Sequence, residues 1–447
     1  MKWFKSYFKY NHSDCVSNRL QVYYVSLPEI TNFTDRLLPH SVTSSKKLYK
    51  NLVDAVLLAL QEIVDQNKYA DKVLERVLKS NPKWGARDRG FIAETVYDIV
   101  RHQRLLMVLT QEITGFSAIQ DWVGLYLMQQ GYEIPNWGIF EHIHPLHFQD
   151  VNQKIETLTS PAVLQSYPDW LYTRLENELG KSRWDKEAAF LNQPADVFLR
   201  VNTLKVNPNK LVALLVDEGI HAETVKPLPY TIRLLKRQNV FRSTYFKQGY
   251  FEVQDWSSQQ VVPLLNPEPG MRVIDACAGA GGKTLHMAAL MKNKGKIIAM
   301  DTEAWKLKIL MERANRAGIT IIEPRVIESN KTIKRLYDSA DCLLTDVPCS
   351  GLGVIRRNPD TKWKLTNEAI ERTRLIQQDI LQNYNQVVRK GGTFVYATCS
   401  ILPTENENQV SAFIKESKAY ELVSTNTIYP SESGADGFFM ALMKQQS

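Results

Sequence analysis

Two runs of the sequence each deliver a cysteine at the end of an apolar stretch. Ala340 to Gly351 reads ADCLLTDVPCSG, and Thr393 to Ser400 reads TFVYATCS. Cys349 and Cys399 are the nucleophile candidates, and Asp346 is an acid shortly before the first of them. A thiol is only a few per cent thiolate at neutral pH and burial lowers that fraction, so a nucleophilic cysteine needs an electropositive setting. Arg356, Arg357 and Lys362, which follow Cys349 in the chain, are the candidates to supply it. Trp363 and the Arg356-Arg357 pair are also expected to grip a nucleic acid beside the site.

A third stretch, Arg272 to Thr284, reads RVIDACAGAGGKT. Val273 and Ile274 lead to Asp275; Cys277, Ala278, Gly279, Ala280, Gly281, Gly282 and Lys283 form a tight turn; Leu285, Met287 and Ala288 resume as a helix. Glycines there let backbone amides approach a ligand, and the helix N-terminus favours negative charge on it. Such a turn can hold a nicotinamide dinucleotide, a phosphate or S-adenosylmethionine. The third glycine of the dinucleotide fingerprint is missing, and no four-residue spacer makes Gly282-Lys283-Thr284 a phosphate loop. Lys296 to Asp301, KIIAMD, is a second apolar run ending in an acid, at the position that grips ribose hydroxyls in nucleoside-binding α/β folds. Adenosine binding passes this test.

A methyl donor and a thiolate suit one reaction well. Carbon 5 of a pyrimidine is a poor nucleophile, but a thiolate added to carbon 6 makes the ring enamine-like, so that carbon 5 can attack the methyl group. An acid at the pyrimidine edge, for which Asp346 is suited, favours the adduct. A base must then remove the carbon-5 proton, a step in which Cys349 can assist.

The elements that position these residues follow from periodicity. From about Phe251 onward the pattern alternates strand and helix. Strands are expected at 272–275, 296–301, 321–327, 340–346, 392–398 and 437–443, and helices at 283–292, 304–316, 367–389 and 404–418. This implies a parallel sheet with helices on both faces and the cysteine loops and glycine turn at one carboxyl edge. Residues 46–160 read as all-α: Ala70, Val73, Leu74, Val77 and Leu78 share one stripe, as do Ile92, Val96, Ile99 and Val100. Residues 161–250 are mixed, with a helix over 168–179 and short strands at 198–201 and 230–235. Within Lys226 to Phe251, Lys226, Arg233, Lys236, Arg237, Arg242 and Lys247 alternate with Tyr230, Phe241, Tyr245, Phe246, Tyr250 and Phe251 and no acid intervenes, a mix that suits phosphates and stacked bases. Residues 1–45 are expected to be a loosely ordered extension.

Composition narrows the classes. The chain has 447 residues, 44% hydrophobic, with a formal charge of +7, which permits a polyanionic partner. Cys15, Cys277, Cys342, Cys349 and Cys399 are an odd number without CxxC spacing, so no disulfide framework or metal site is expected, and Cys277 and Cys342 read as small buried hydrophobes. The histidines of Glu141 to His147 lack metal-ligand spacing and read as a loop. No apolar run approaches the ~18 residues of a membrane span, and the N-terminus lacks a signal-peptide pattern. A cytoplasmic monomer with no membrane partner is expected.

DACAGAGGKT, DVPCSGLGVIRRNPDTKW and YATCSILPTENENQV resemble the signature blocks of the Sun/Fmu family of RNA cytosine carbon-5 methyltransferases, from about Tyr167 to the C-terminus. ARDRGFIAETVYDIVRHQRL resembles the NusB-like domain of the bacterial branch that modifies 16S ribosomal RNA. The resemblance implies an α/β, Rossmann-like catalytic domain over 251–447, an all-α NusB-like RNA-binding domain over 46–160 and a small α+β RNA-binding region over 161–250. It makes Cys399 the nucleophile and Cys349 the cysteine that promotes product release. Cys277 to Lys283, Asp301 and Asp346 would hold S-adenosylmethionine. Glu328, in VIESN, stands where the family usually has Asp, and Gly279-Ala280 where Ala-Pro is common. The alternatives are a transfer RNA or DNA cytosine methyltransferase, a non-catalytic RNA-binding assembly factor and, more distantly, a nicotinamide dehydrogenase.

Overall fold

The computed structural model of the chain describes residues 46–144 and 147–446. The expected extension over 1–45, with Cys15, lies outside them, as do Pro145, Leu146 and the His147 side chain.

The first layer is helical: α1 (Lys50–Val64), α2 (Ala70–Ser80), α3 (Ala86–Arg101), α4 (Gln103–Thr114), α5 (Ile119–Gln129) and α6 (His147–Thr157). The stripes seen in the sequence turn inward, with Val73, Leu74, Val77, Ile92, Val96, Ile99 and Val100 all buried in one core. Asp88 accepts from the Gly85 amide at 3.0 Å and closes an orphan donor where α3 begins. The Glu141–His144 segment is a turn in which His142 stacks on Phe116 and faces the buried Asp121 at 3.2 Å.

Next come α7 (Asp169–Leu179) and α8 (Lys181–Phe190), then β1 (Phe198–Val201), α9 (Pro208–Asp217), β2 (Ala222–Thr224), β3 (Thr231–Leu234) and β4 (Phe251–Val253). The strands form an antiparallel sheet ordered β2-β3-β1-β4. The basic, aromatic stretch is divided by this sheet. Tyr230 and Phe251 are core residues, Phe246 lies under the Arg316 guanidinium, and Arg233 pairs with Glu223, so these do not offer free faces to bases. Lys226, Lys236, Arg237, Arg242, Lys247 and Phe241 remain exposed.

The last layer is a seven-stranded sheet ordered β10-β11-β9-β8-β5-β6-β7. Its strands are β5 (Arg272–Asp275), β6 (Lys296–Asp301), β7 (Ile322–Val326), β8 (Ala340–Asp346), β9 (Val388–Thr398), β10 (Tyr420–Ile428) and β11 (Phe438–Gln445). Helices α10 (Gly282–Leu290), α11 (Ala304–Ala317), α12 (Asn367–Tyr384) and α13 (Glu407–Glu416) accompany it. Alternate strand residues enter two separate cores, Val273, Ile297 and Leu344 on one face and Ile274, Ile298 and Leu343 on the other. Both faces are therefore covered, which explains the continuous apolar runs.

The expectation of a parallel sheet needs correction. β7, β6, β5, β8 and β9 are parallel, but β11 runs antiparallel to β9 and β10 antiparallel to β11. β10 was not expected at all: YELVSTNTI is polar and largely exposed because the strand sits at the sheet edge. The long helix also ends at Tyr384 rather than 389, and the chain enters β9 at Val388.

Candidate functional site

Asp275, Asp301, Asp346 and Thr398 end neighbouring strands β5, β6, β8 and β9. The chain leaves β5 towards β6 on one side and later returns to β8 on the other, so the glycine turn lies at the switch point of the sheet, the usual ligand crevice of such folds. The Ala276 amide donates to the Leu344 carbonyl and the Ala278 amide to that of Met300, pinning the turn across both neighbours.

Within the turn the glycines differ. Gly281 has φ +89° and a Cβ there would stand 2.6 Å from Leu310 Cγ on α11, so glycine is required for packing. Gly279 has φ +53° and nothing within 4 Å of its Cβ position, so that backbone borders open space. Its amide donates to Asp301 Oδ2 at 3.0 Å while the Glu303 amide donates to Oδ1, which holds the Asp301 carboxylate at the rim. Arg313 holds the Ala280 carbonyl and Arg200 that of Gly282. The site is shaped for an adenosine cofactor: an open glycine backbone, a helix N-terminus and a carboxylate able to accept further hydrogen bonds. Glu328 is exposed just past β7, one residue beyond the Ile327 amide that donates to the Asp301 carbonyl. Asp275 is buried, accepts from Thr284 Oγ1 at 2.6 Å, and burial pushes its pKa up to about 7.

The two cysteine loops do converge: Cys349 Sγ lies 3.3 Å from Cys399 Sγ. Backbone contact fixes this approach. The Gly353 amide donates to the Cys399 carbonyl at 3.0 Å and the Gly437 amide to that of Gly353 at 2.8 Å, and a Cβ on Gly353 would strike the Gly437 carbonyl. The hydrogen bond to Cys399, then burial and the nearby charges, push the Cys349 thiol well above its ordinary range. Burial likewise raises the Cys277 and Cys342 thiols, and Cys342 is enclosed in the core as expected of a small hydrophobe.

The expected electropositive residues are elsewhere. Arg356 is buried and donates to the carbonyls of Gly434 and Pro194 at 2.9 and 2.6 Å. Arg357 pairs with Asp255 and Asp436, Lys362 donates to the carbonyls of Arg101 and Ser166, and Trp363 Nε1 donates to that of Val100 at 2.7 Å. After Gly351 the chain turns away from the sheet edge and runs between layers, so these groups serve packing rather than catalysis or an RNA surface. Lys283 does reach the site, 2.5 Å from Asp346 Oδ2 and over the Phe438 ring, and Lys306 pairs with Asp301 at 3.6 Å.

Sequence reasoning missed Glu405. Its buried carboxylate accepts from the Ser350 amide at 2.8 Å and from the hydroxyls of Ser350 and Ser400. The available signal was that both cysteines precede a serine, with an acid shortly after the second.

Comparison with known proteins places this geometry. A family model described as 16S rRNA methyltransferase RsmB/F matches residues 262–444, and one described as Methyltr_RsmF/B-like, ferredoxin-like domain matches 167–241. A Synechocystis sp. protein named "Probable ribosomal RNA small subunit methyltransferase B" is 31% identical over 440 residues, covering 87% of this chain and 98% of its own length. A Bacillus subtilis protein of the same name is 30% identical, over 88% of this chain and 98% of its own. The crystal structure of PH0851 superposes with a TM-score of 0.75 at 26% identity, over 90% of this chain and 100% of that one.

Proposed function

Because the chain belongs to the RsmB/F family of 16S rRNA methyltransferases, we propose that it methylates carbon 5 of a cytosine in 16S ribosomal RNA through a covalent adduct on Cys399. The observation that carries this reading is the 3.3 Å approach of Cys349 and Cys399 at the strand edge that also holds Asp346 and the open glycine turn. The turn from Cys277 to Lys283 and Asp301 would hold S-adenosylmethionine, which would supply an electrophilic methyl group for carbon 5. Glu328, exposed just past β7, would extend that contact.

Cys399 Sγ adds to carbon 6 of the base and makes carbon 5 nucleophilic. Asp346, held by Lys283, hydrogen-bonds the pyrimidine edge and favours the adduct. Once carbon 5 carries the methyl group, a base takes its proton, the electron pair of that C–H bond restores the carbon 5–carbon 6 double bond, and the Cys399 sulfur is expelled from carbon 6 as a thiolate. Cys349, 3.3 Å from the Cys399 sulfur, assists that release. The base must leave its stack to reach this site. The NusB-like helical layer and the exposed Lys226, Lys236, Arg237, Arg242 and Lys247 supply affinity for the RNA backbone.

The test is bisulfite mapping of 16S ribosomal RNA from cells with and without the protein. One cytosine is expected to lose its protection in the deletion strain and regain it on complementation. An unchanged 16S map rejects this substrate.

A further inference from the structure

Beneath the two cysteines lies a buried polar layer that the proposed reaction leaves without a role. Glu405 is fully buried, yet its two carboxylate oxygens accept four hydrogen bonds. Oε1 takes the Ser350 amide at 2.8 Å and Gln377 Nε2 at 3.1 Å; Oε2 takes the hydroxyls of Ser350 and Ser400, each at 2.5 Å. The two serine oxygens are themselves 3.2 Å apart. Gln377 also donates to the carbonyl of Pro348 at 2.9 Å and is held in turn by Gln409 at 3.1 Å. One carboxylate thus grips the residue after each cysteine, and its neighbour grips the residue before the first.

A buried carboxylate is costly unless it is well hydrogen-bonded, and here the donors come almost entirely from the two loops that must stay in register. We propose that Glu405 is a positioning residue of the reaction: acting through Ser350 and Ser400, it sets the separation and alignment of the Cys349 and Cys399 sulfurs. Its carboxylate is also among the charges that raise the Cys349 thiol. Fully buried, Glu405 acts through those serines rather than on cofactor or RNA directly. Its removal slows chemistry while leaving both binding steps intact.

The inference rests on the cysteine mechanism proposed above, and one experiment separates the two. Full-length wild type, Glu405→Gln, Ser350→Ala and Ser400→Ala are assayed with labelled S-adenosylmethionine and 16S ribosomal RNA transcribed without modifications. kcat and KM for both substrates are measured, together with the rate of covalent protein–RNA adduct formation in a Cys349→Ala background. Glu405→Gln is expected to lower kcat and the adduct rate together, on the order of 10²-fold for a misplaced reacting group. KM values and the thermal midpoint should stay near wild type. Each serine variant is expected to give a smaller loss of the same kind. A Glu405→Gln enzyme with wild-type kcat, or losses that appear only in KM for the cofactor, overturns the positioning role. If that variant does not fold, the serine variants decide, and wild-type kcat in both rejects the proposal. A wild type that methylates RNA without any cysteine adduct overturns the mechanism itself, and this inference with it.

Discussion

At the scale of residues, the burial of charge decides what each group can do. Asp275 has no room for solvent, and burial raises its pKa from 3.8 to about 7. A carboxyl raised in the folded state holds its proton between about pH 4 and 7 while the unfolded chain has lost it. Its contribution to stability is therefore present at low pH and lost as pH rises towards 7, by at most about 1.4 kcal/mol per pH unit. Asp275→Asn should flatten that slope in urea denaturation between about pH 4 and 7; an unchanged slope contradicts the assignment. Cys349, Cys399, Asp346 and Asp301 were legible in the sequence because each ends an apolar run at the same sheet edge. Arg356, Arg357 and Lys362 misled because nearness along the chain does not survive the turn at Gly351 and Gly353. Lys283, across the sheet edge from Asp346, is the cation that pairs with that carboxylate.

At the scale of elements, the turn between β5 and α10 contains two glycines with different duties. Alanine at Gly281 meets Leu310 and must adopt φ +89°, which is expected to cost about 2–4 kcal/mol. Alanine at Gly279 meets no protein atom and costs roughly 1 kcal/mol for its backbone alone. Its methyl group intrudes on the cofactor space, so Gly279→Ala should weaken S-adenosylmethionine binding in calorimetry far more than it lowers the thermal midpoint. The opposite ranking of the two variants contradicts this division. The central strands β5, β6 and β8 were readable because both faces are buried and the runs are largely apolar. β10 was not, since an edge strand needs apolar residues only where it meets the helix layer, and YELVSTNTI lacks them.

At the scale of the whole molecule, the segment after Cys349 joins the helical layer to the catalytic sheet. Lys362 is fully buried, its ammonium shared among the carbonyls of Arg101 and Ser166 and the Asn192 side chain, and Asp360 accepts from the Ala70 amide at the start of α2. Burial holds the Lys362 pKa well below the usual lysine range. Lys362→Ala strands those acceptors and opens a cavity, so it should destabilise the protein by roughly 2–5 kcal/mol; an unchanged urea midpoint contradicts that coupling. This joint was not legible in the sequence, because each of its hydrogen bonds spans segments far apart in the chain. With the layers so joined, the proposed mechanism has RNA held by the outer surfaces delivered to one sulfur. The most direct test of that claim is mass-spectrometric mapping of the adduct formed when Cys349→Ala protein is incubated with 16S ribosomal RNA and S-adenosylmethionine. The account predicts a cytosine nucleotide linked to Cys399, and no adduct in Cys349→Ala/Cys399→Ala; an adduct that persists in the double variant, or maps to another residue, contradicts it.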